Sequence, residues 1–281
     1  MRGFFAHLLL TLRLNFRNPQ AVVFGYVVPV FFLFAFVAFY GKGLKDPLTH
    51  NNTTTEFGQV LTITILGGAC FGMPIAFVSE RERGVWRRYR LTPMPTFAFV
   101  ASILLARYVI LLSAALIQLG IAMWVGMRFP VHPWKLLGAF TLASFAFLGI
   151  GLLISMIANS THAVQALGQS LFLPMIMIGG VGVSLRNLPE WGRKVAAFLP
   201  GRYAVQAMDA CVVGNPRPPH LYGPFNLLAL IVIGAAASFA AAKLFRWENG
   251  QRLPRSGWAW AVLSIVTWAV IGVVARRYNL V

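Results

Sequence analysis

Two of the chain's seven acidic residues, Glu80 and Glu82, fall in residues 79–90, together with five of its 24 basic residues. The segment reads S-E-R-E-R-G-V-W-R-R-Y-R. Carboxylates and guanidiniums at this density serve charge-assisted hydrogen bonding and ion pairing, the chemistry of recognition rather than of bond breaking. On a helix, Val85, Trp86 and Tyr89 would cluster at i, i+1 and i+4, while Arg83, Arg87 and Arg90 recur at i, i+4 and i+7. The other reactive groups are dispersed. His7, His50, His132, His162 and His220 occupy separate edges, and neither H-E-x-x-H nor G-x-S-x-G occurs. Glu190 and Asp209, with Arg193 and Arg202 as expected neighbours, are too far apart in sequence for a local motif. There is no G-x-x-x-x-G-K-[ST] phosphate cradle, since Gly41-Lys42 lacks its upstream glycine. Cys70 and Cys211 are widely separated, so no disulfide framework is expected, and no metal site is expected either.

The elements that must position this segment are set by composition. Hydrophobic residues make up 58% and charged residues 11%, against about 25% charge in a soluble domain. The class is an integral membrane protein, all-α. The net charge of +17 is read as basic residues flanking spans and meeting lipid headgroups, not as nucleic-acid binding. A bilayer core needs roughly 20 apolar residues of helix. Such runs cover residues 21–40, 57–78, 97–127, 136–158, 163–184 and 225–245, with a seventh at 257–275. The first six contain no acidic residue. A proton- or ion-coupled carrier is expected to place carboxylates at mid-membrane, so the energy source is expected elsewhere. Arg107, the one charge inside a run, is expected to snorkel to the inner headgroups.

Arg81, Arg83, Arg87, Arg88 and Arg90 put the loop after the second span in the cytoplasm, and the N-terminus with it. Thirteen basic residues then lie inside and eleven outside. No cleavable leader is expected, because Arg13 and Arg17 precede the first apolar run and no A-x-A site follows it. Residues 1–18 read as an amphipathic surface helix. Phe5, Leu8, Leu9, Leu12 and Phe16 form one face and Arg13 and Arg17 the other, with a break expected at Asn18-Pro19. Residues 42–55 read as an external loop. Residues 187–214 are too apolar for a solvated loop and too rich in proline and charge for a span. They read as two short helices dipping into the outer leaflet, with a Pro-rich linker at 215–219.

Three motifs in order carry a resemblance: Glu80-Arg81-Glu82-Arg83-Gly84 with Leu91-Thr92-Pro93; the fifth-span passage with Ser155, Ala166, Pro174 and Gly179-Gly180; and Leu188-Pro189-x-Trp191 with Leu199-Pro200-x-x-Tyr203-Ala204. From about residue 5 to 246 the chain resembles permease subunits of type-2 ATP-binding-cassette exporters. The resemblance implies a six-span permease domain over residues 19–246, and the seventh run, in 247–281, departs from it. It implies two permease copies, expected as a homodimer, and two cytoplasmic ATPase subunits that bind ATP and magnesium, this chain binding no cofactor itself. It implies a bacterial cytoplasmic (inner) membrane and export.

By the same resemblance residues 79–91 form a coupling helix, with Glu80, Arg81, Glu82, Arg83, Gly84, Val85, Trp86, Arg87, Arg88 and Tyr89 as its contact positions. The Val85–Trp86–Tyr89 cluster could enter a groove on the ATPase. Glu82 could pair with a basic group there, or with Arg81 or Arg83. The N-terminal helix, through Phe5, Leu8, Leu12, Arg13, Phe16 and Arg17, would add a second contact. The plainer alternative is a solvated loop whose charges set topology only.

Candidate path residues are Phe32, Phe36 and Phe39 on one face of the first span, with Met73 and Met175, although the phenylalanines read more readily as lipid-facing and the methionines equally as ordinary packing. Pro189, Trp191, Pro200 and Tyr203 mark the external helices. The span aromatics are mainly phenylalanine, which favours a hydrophobic or amphipathic small molecule, or a lipid, over a long glycan. The rival classes are a membrane-embedded enzyme and a scaffold.

Overall fold

The computed structural model describes residues 2–17, 19–40, 57–92, 94–185, 188–213, 224–247 and 255–278. The loop expected at 42–55 and the linker at 215–219 lie outside them. The described residues are helical, with no strand among them. Helix α1 is Arg2–Arg17. Helix α2, Pro19–Val22, passes through a π-helical turn, Val23–Val27, into α3, Val28–Tyr40. Helix α4, Phe57–Leu66, passes through a second π-helical turn, Gly67–Gly72, into α5, Met73–Glu82. There follow α6, Val85–Arg90, α7, Thr96–Trp124, α8, Pro133–Ile157, and α9, Thr161–Met177. The remainder is α10, Glu190–Ala196, α11, Pro200–Val213, α12, Pro224–Lys243, and α13, Arg255–Arg277.

Among the described residues five helices are long and apolar enough to cross a membrane: Phe57–Glu82, Thr96–Trp124, Pro133–Ile157, Pro224–Lys243 and Gly257–Arg277. The C-terminal run is one of them. Its Trp260 ring meets Phe239 of α12 at 5.3 Å, and Phe198, at the α10–α11 corner, packs on Gly272 at its other end. Two runs read from the sequence are not among the five. The first holds a shorter apolar stretch, Gly25–Ala38. The fifth folds as α9, a 17-residue helix that carries Gln165, Gln169 and Ser170.

Helix α8 is central and largely buried. The π turn between α4 and α5 lies against it. A Cβ at Gly151 would overlap the Ala69 carbonyl, and one at Gly168 of α9 would come within 3.0 Å of the Cys70 carbonyl. Glycine at these two sites lets both helices reach the turn's backbone, as small residues do in membrane bundles. Cross-helix bonds add to this: Tyr26 to Ser113 at 2.6 Å, Thr64 donating to Gln118 Oε1 at 2.7 Å, and Tyr108 to Thr141 at 2.8 Å.

At the end of the bundle away from α6, α11 packs on α4, and Asp209 Oδ1 accepts the Gly58 N–H at 2.9 Å. That N–H belongs to the first turn of α4, where donors have no partner within the helix. Asp209 therefore caps a helix far from it in sequence, which the spacing of the acidic residues did not reveal. Asp209→Ala is expected to cost about 1–2 kcal/mol, read as a lower unfolding midpoint in detergent, whereas Asp209→Asn keeps an acceptor and loses less.

Candidate coupling site

The charged segment begins within α5 and turns at Gly84, whose φ of 70° is left-handed and suits glycine. The turn folds α6 back under the bundle and inserts Trp86, which has no exposed surface. The indole meets Phe77 at 4.3 Å edge-on, Phe99 at 5.5 Å, Phe245 at 5.9 Å in a stack and Trp247 at 6.3 Å. The Arg81 guanidinium lies 5.8 Å from its ring centre. These rings come from α5, α7 and the segment after α12, so Trp86 pins three parts of the chain at one point. This corrects the expectation that Trp86 enters a groove on a partner. Val85 and Tyr89 also pack against the chain's own core. The surface left to a partner is charged: Glu82, Arg83, Arg87, Arg88 and Arg90 are exposed.

Arg81 and Glu82 point to opposite sides of one junction. The Arg81 Nη2 donates to the Ala158 carbonyl at 2.6 Å, just past the end of α8. Arg246 joins it, donating to Met156 O at 2.9 Å, Ala158 O at 3.2 Å and Asn159 Oδ1 at 2.5 Å. Glu82 Oε1 accepts the Thr161 N–H at 3.3 Å, at the start of α9, and Ser160 Oγ accepts from Ala163 N–H. Guanidiniums thus sit on the negative end of α8 and a carboxylate on the positive end of α9, the arrangement that helix dipoles favour. Adjacent residues of the charged segment hold the junction of two long helices. Glu82 therefore has a backbone partner within its own chain, Thr161, in addition to the charge of Arg81 beside it.

Glu80 faces inward, with Arg107 and Arg83 as its charged neighbours. Arg107 is only 6% exposed. This corrects the expectation that it snorkels to the headgroups: the Glu80 carboxylate beside it gives it a charged partner inside the protein.

Helix α1 docks on α7 through a polar edge. His7 and Asn15 are buried, whereas Phe5, Leu9 and Phe16 are each more than half exposed; Arg13 and Arg17 are exposed, and Leu8 and Leu12 are intermediate. The Ser102 hydroxyl donates to Phe99 O at 2.7 Å, so His7 Nδ1–H donates to Ser102 Oγ, also at 2.7 Å. The imidazole lies against Tyr89 and Phe99 at 4.8 and 5.1 Å. Burial there lowers the His7 pKa from 6.5. A histidine with a lowered folded pKa stays neutral while the unfolded chain protonates. The stability it confers is therefore full above pH 6.5 and is lost as pH falls from there towards the folded value. Docking of α1, followed by hydrogen exchange, is expected to weaken over that window, and His7→Gln is expected to flatten the response.

The path residues separate. Met73 and Met175 are fully buried and Phe36 nearly so, while Phe32 is half-buried. Met73 and Met175 line no open path here, because Gly151 and Gly201 leave room that their flexible side chains fill. The Phe39 side chain lies outside the described residues. In the expected external helices, Pro189 precedes α10, Trp191 is exposed, and Pro200 and Tyr203 are buried, the Tyr203 hydroxyl donating to Ala197 O at 2.5 Å. Sequence reasoning missed Arg246, Phe77, Phe99, Phe245 and Trp247. Ser160-Thr161 after an apolar run is a helix-start signal that marks the junction, but nothing local links it to Arg81.

The family model described as ABC-2 type transporter matches residues 3–212, and the chain belongs to that family. It is a permease component of an ABC transporter, a membrane transport component whose family works with an ABC ATPase. No curated protein sequence matches the chain.

Proposed function

We propose that two copies of this chain form an export path, and that two cytoplasmic ATPase subunits, holding ATP and magnesium, drive it through residues 79–91. The observation that carries this is the Arg81–Glu82 clamp on the α8–α9 junction beneath an exposed arginine surface. A partner that moves the exposed side moves both helices with it, because the segment is fixed on its inner side. A loop that only set topology would not need buried contacts.

The exposed edge of α9 supports the dimer. His162, Gln165, Gln169 and Ser170 point out of the chain together with Leu173 and Met177. Polar side chains facing hydrocarbon are costly and normally face protein or water. A second copy covers this edge and makes it one wall of the path. The first and fifth runs cross the membrane only in that setting, giving six crossings, with α13 as a seventh. The N-terminus and α6 are cytoplasmic, in the inner membrane of a bacterium, with α1 on the membrane surface and α10 and α11 dipping into the outer leaflet. The cargo is a hydrophobic or amphipathic small molecule or a lipid, since the chain offers few path-side Tyr and Trp to sugars.

The test is purification in mild detergent from the native host, followed by an ATPase assay and cross-linking of a Gln169→Cys variant. A stoichiometric ATP-hydrolysing partner and a cross-linked pair of this chain are expected. A stable chain that recruits no such partner would overturn the proposal.

A further inference from the structure

We propose that the cleft between α4, α7 and α8 holds one acyl chain of an anionic phospholipid, with its phosphate at Arg128 and Lys135. The cleft lies at the end of the bundle away from Trp86. It has a volume of about 340 Å³ and is lined by Phe57, Leu61, Ala115, Leu119, Leu136 and Phe140 among others, nearly all of its surface apolar. Water needs two to four polar partners to settle in such a space, and this lining does not supply them. The volume is roughly twice that of an apolar cavity of about 150 Å³ that takes a benzene-sized guest. A flexible hydrocarbon chain fits both the chemistry and the size.

Exposed tryptophans at the mouth of the cleft place it at headgroup depth in this proposal. Trp124 and Trp134, on either side of the α7–α8 turn, are 84% and 83% exposed, as aromatic residues are at a membrane interface. Arg128, in that turn, and Lys135, in the first turn of α8, are exposed, and residues 125–140 contain no acidic residue. The nearby carboxylate, Asp209, which with Lys135 acts on Cys211, is directed to the Gly58 N–H. Two cations beside an apolar slot complement a phosphate on an acyl chain. No residue of α9 lines the cleft, so the exposed polar edge of α9 is not one of its walls. The face assigned to the second copy is thus not the face that opens this cleft.

The full chain is placed in nanodiscs of mixed phosphatidylglycerol and phosphatidylcholine, with a photoactivatable acyl group on one lipid and then on the other. Labelled peptides are mapped by mass spectrometry. The phosphatidylglycerol probe is expected to label residues 129–140 about thirtyfold more than the phosphatidylcholine probe, the scale that two surface cations support at about 1 kcal/mol each. Arg128→Gln with Lys135→Gln is expected to bring the two probes level. Leu119→Trp is expected to remove labelling by both, and Ala115→Val to reduce it if the larger residue prevents folding. Equal labelling by both probes in the wild-type chain would overturn the proposal. So would labelling no greater in the cleft than on the exposed valines of α13, or a cross-link between two copies at residues 129–134. The readout needs no ATPase, so it fails or succeeds independently of the coupling proposal.

Discussion

Arg81→Ala is expected to lower export by more than tenfold in proteoliposomes while the ATPase still co-purifies. Arg81 is buried and donates at 2.6 Å to Ala158 O, beyond the end of α8. Without it, Arg246 alone serves the carbonyls there. Losing a hydrogen bond from a charged donor costs about 1.5–3 kcal/mol, too little to unfold a bundle of this size but enough to loosen the joint. The exposed arginines on the other side are untouched, so recruitment persists and transmission fails. Arg81→Lys is expected to recover part of the activity, since an ammonium restores the charge without the planar fork. Loss of the ATPase together with export would place Arg81 in the contact itself.

Trp86→Ala is expected to act through folding and not through the partner. Removing a fully buried indole costs about 3–5 kcal/mol, and here the cavity would open among Phe77, Phe99, Phe245 and Trp247. The chain should fail to accumulate in membranes, or should unfold at a distinctly lower temperature in detergent. Trp86→Phe, which keeps a ring in the nest, should be much milder. Normal accumulation of Trp86→Ala with loss of the ATPase alone would restore the partner-groove reading of this residue.

The contrast between these two residues shows how far the sequence can be read. Apolar runs and arginine-rich edges follow from local composition, so the all-helical membrane class and the special character of residues 79–90 were legible. Which side of α6 faces inward was not. Helical spacing put Trp86 and Tyr89 on one face, but that face becomes core only because Phe245 and Trp247, more than 150 residues away, supply the other wall. The clamp is hidden for the same reason, since Arg81 and Arg246 converge on backbone carbonyls, which leave no mark on residue identity. The path residues differ again. Met73 and Phe36 have the right chemistry for a greasy slot, yet glycines on neighbouring helices decide whether such side chains meet space or packing. For α9, the polar edge of Gln165, Gln169 and Ser170 was present in the sequence but was absorbed into an apolar run by its average.

The most direct test of the coupling claim is a comparison of Arg81→Ala with a charge-reversed outer face, Arg83→Glu with Arg88→Glu, in membranes containing the ATPase. ATPase retention and export are measured side by side. The expected result is that the charge-reversed chain remains in the membrane but loses the ATPase, whereas Arg81→Ala retains the ATPase and loses export. If the charge-reversed chain kept both its ATPase and its export, the exposed face of α6 would not be the contact, and the coupling role assigned to residues 79–91 would be contradicted.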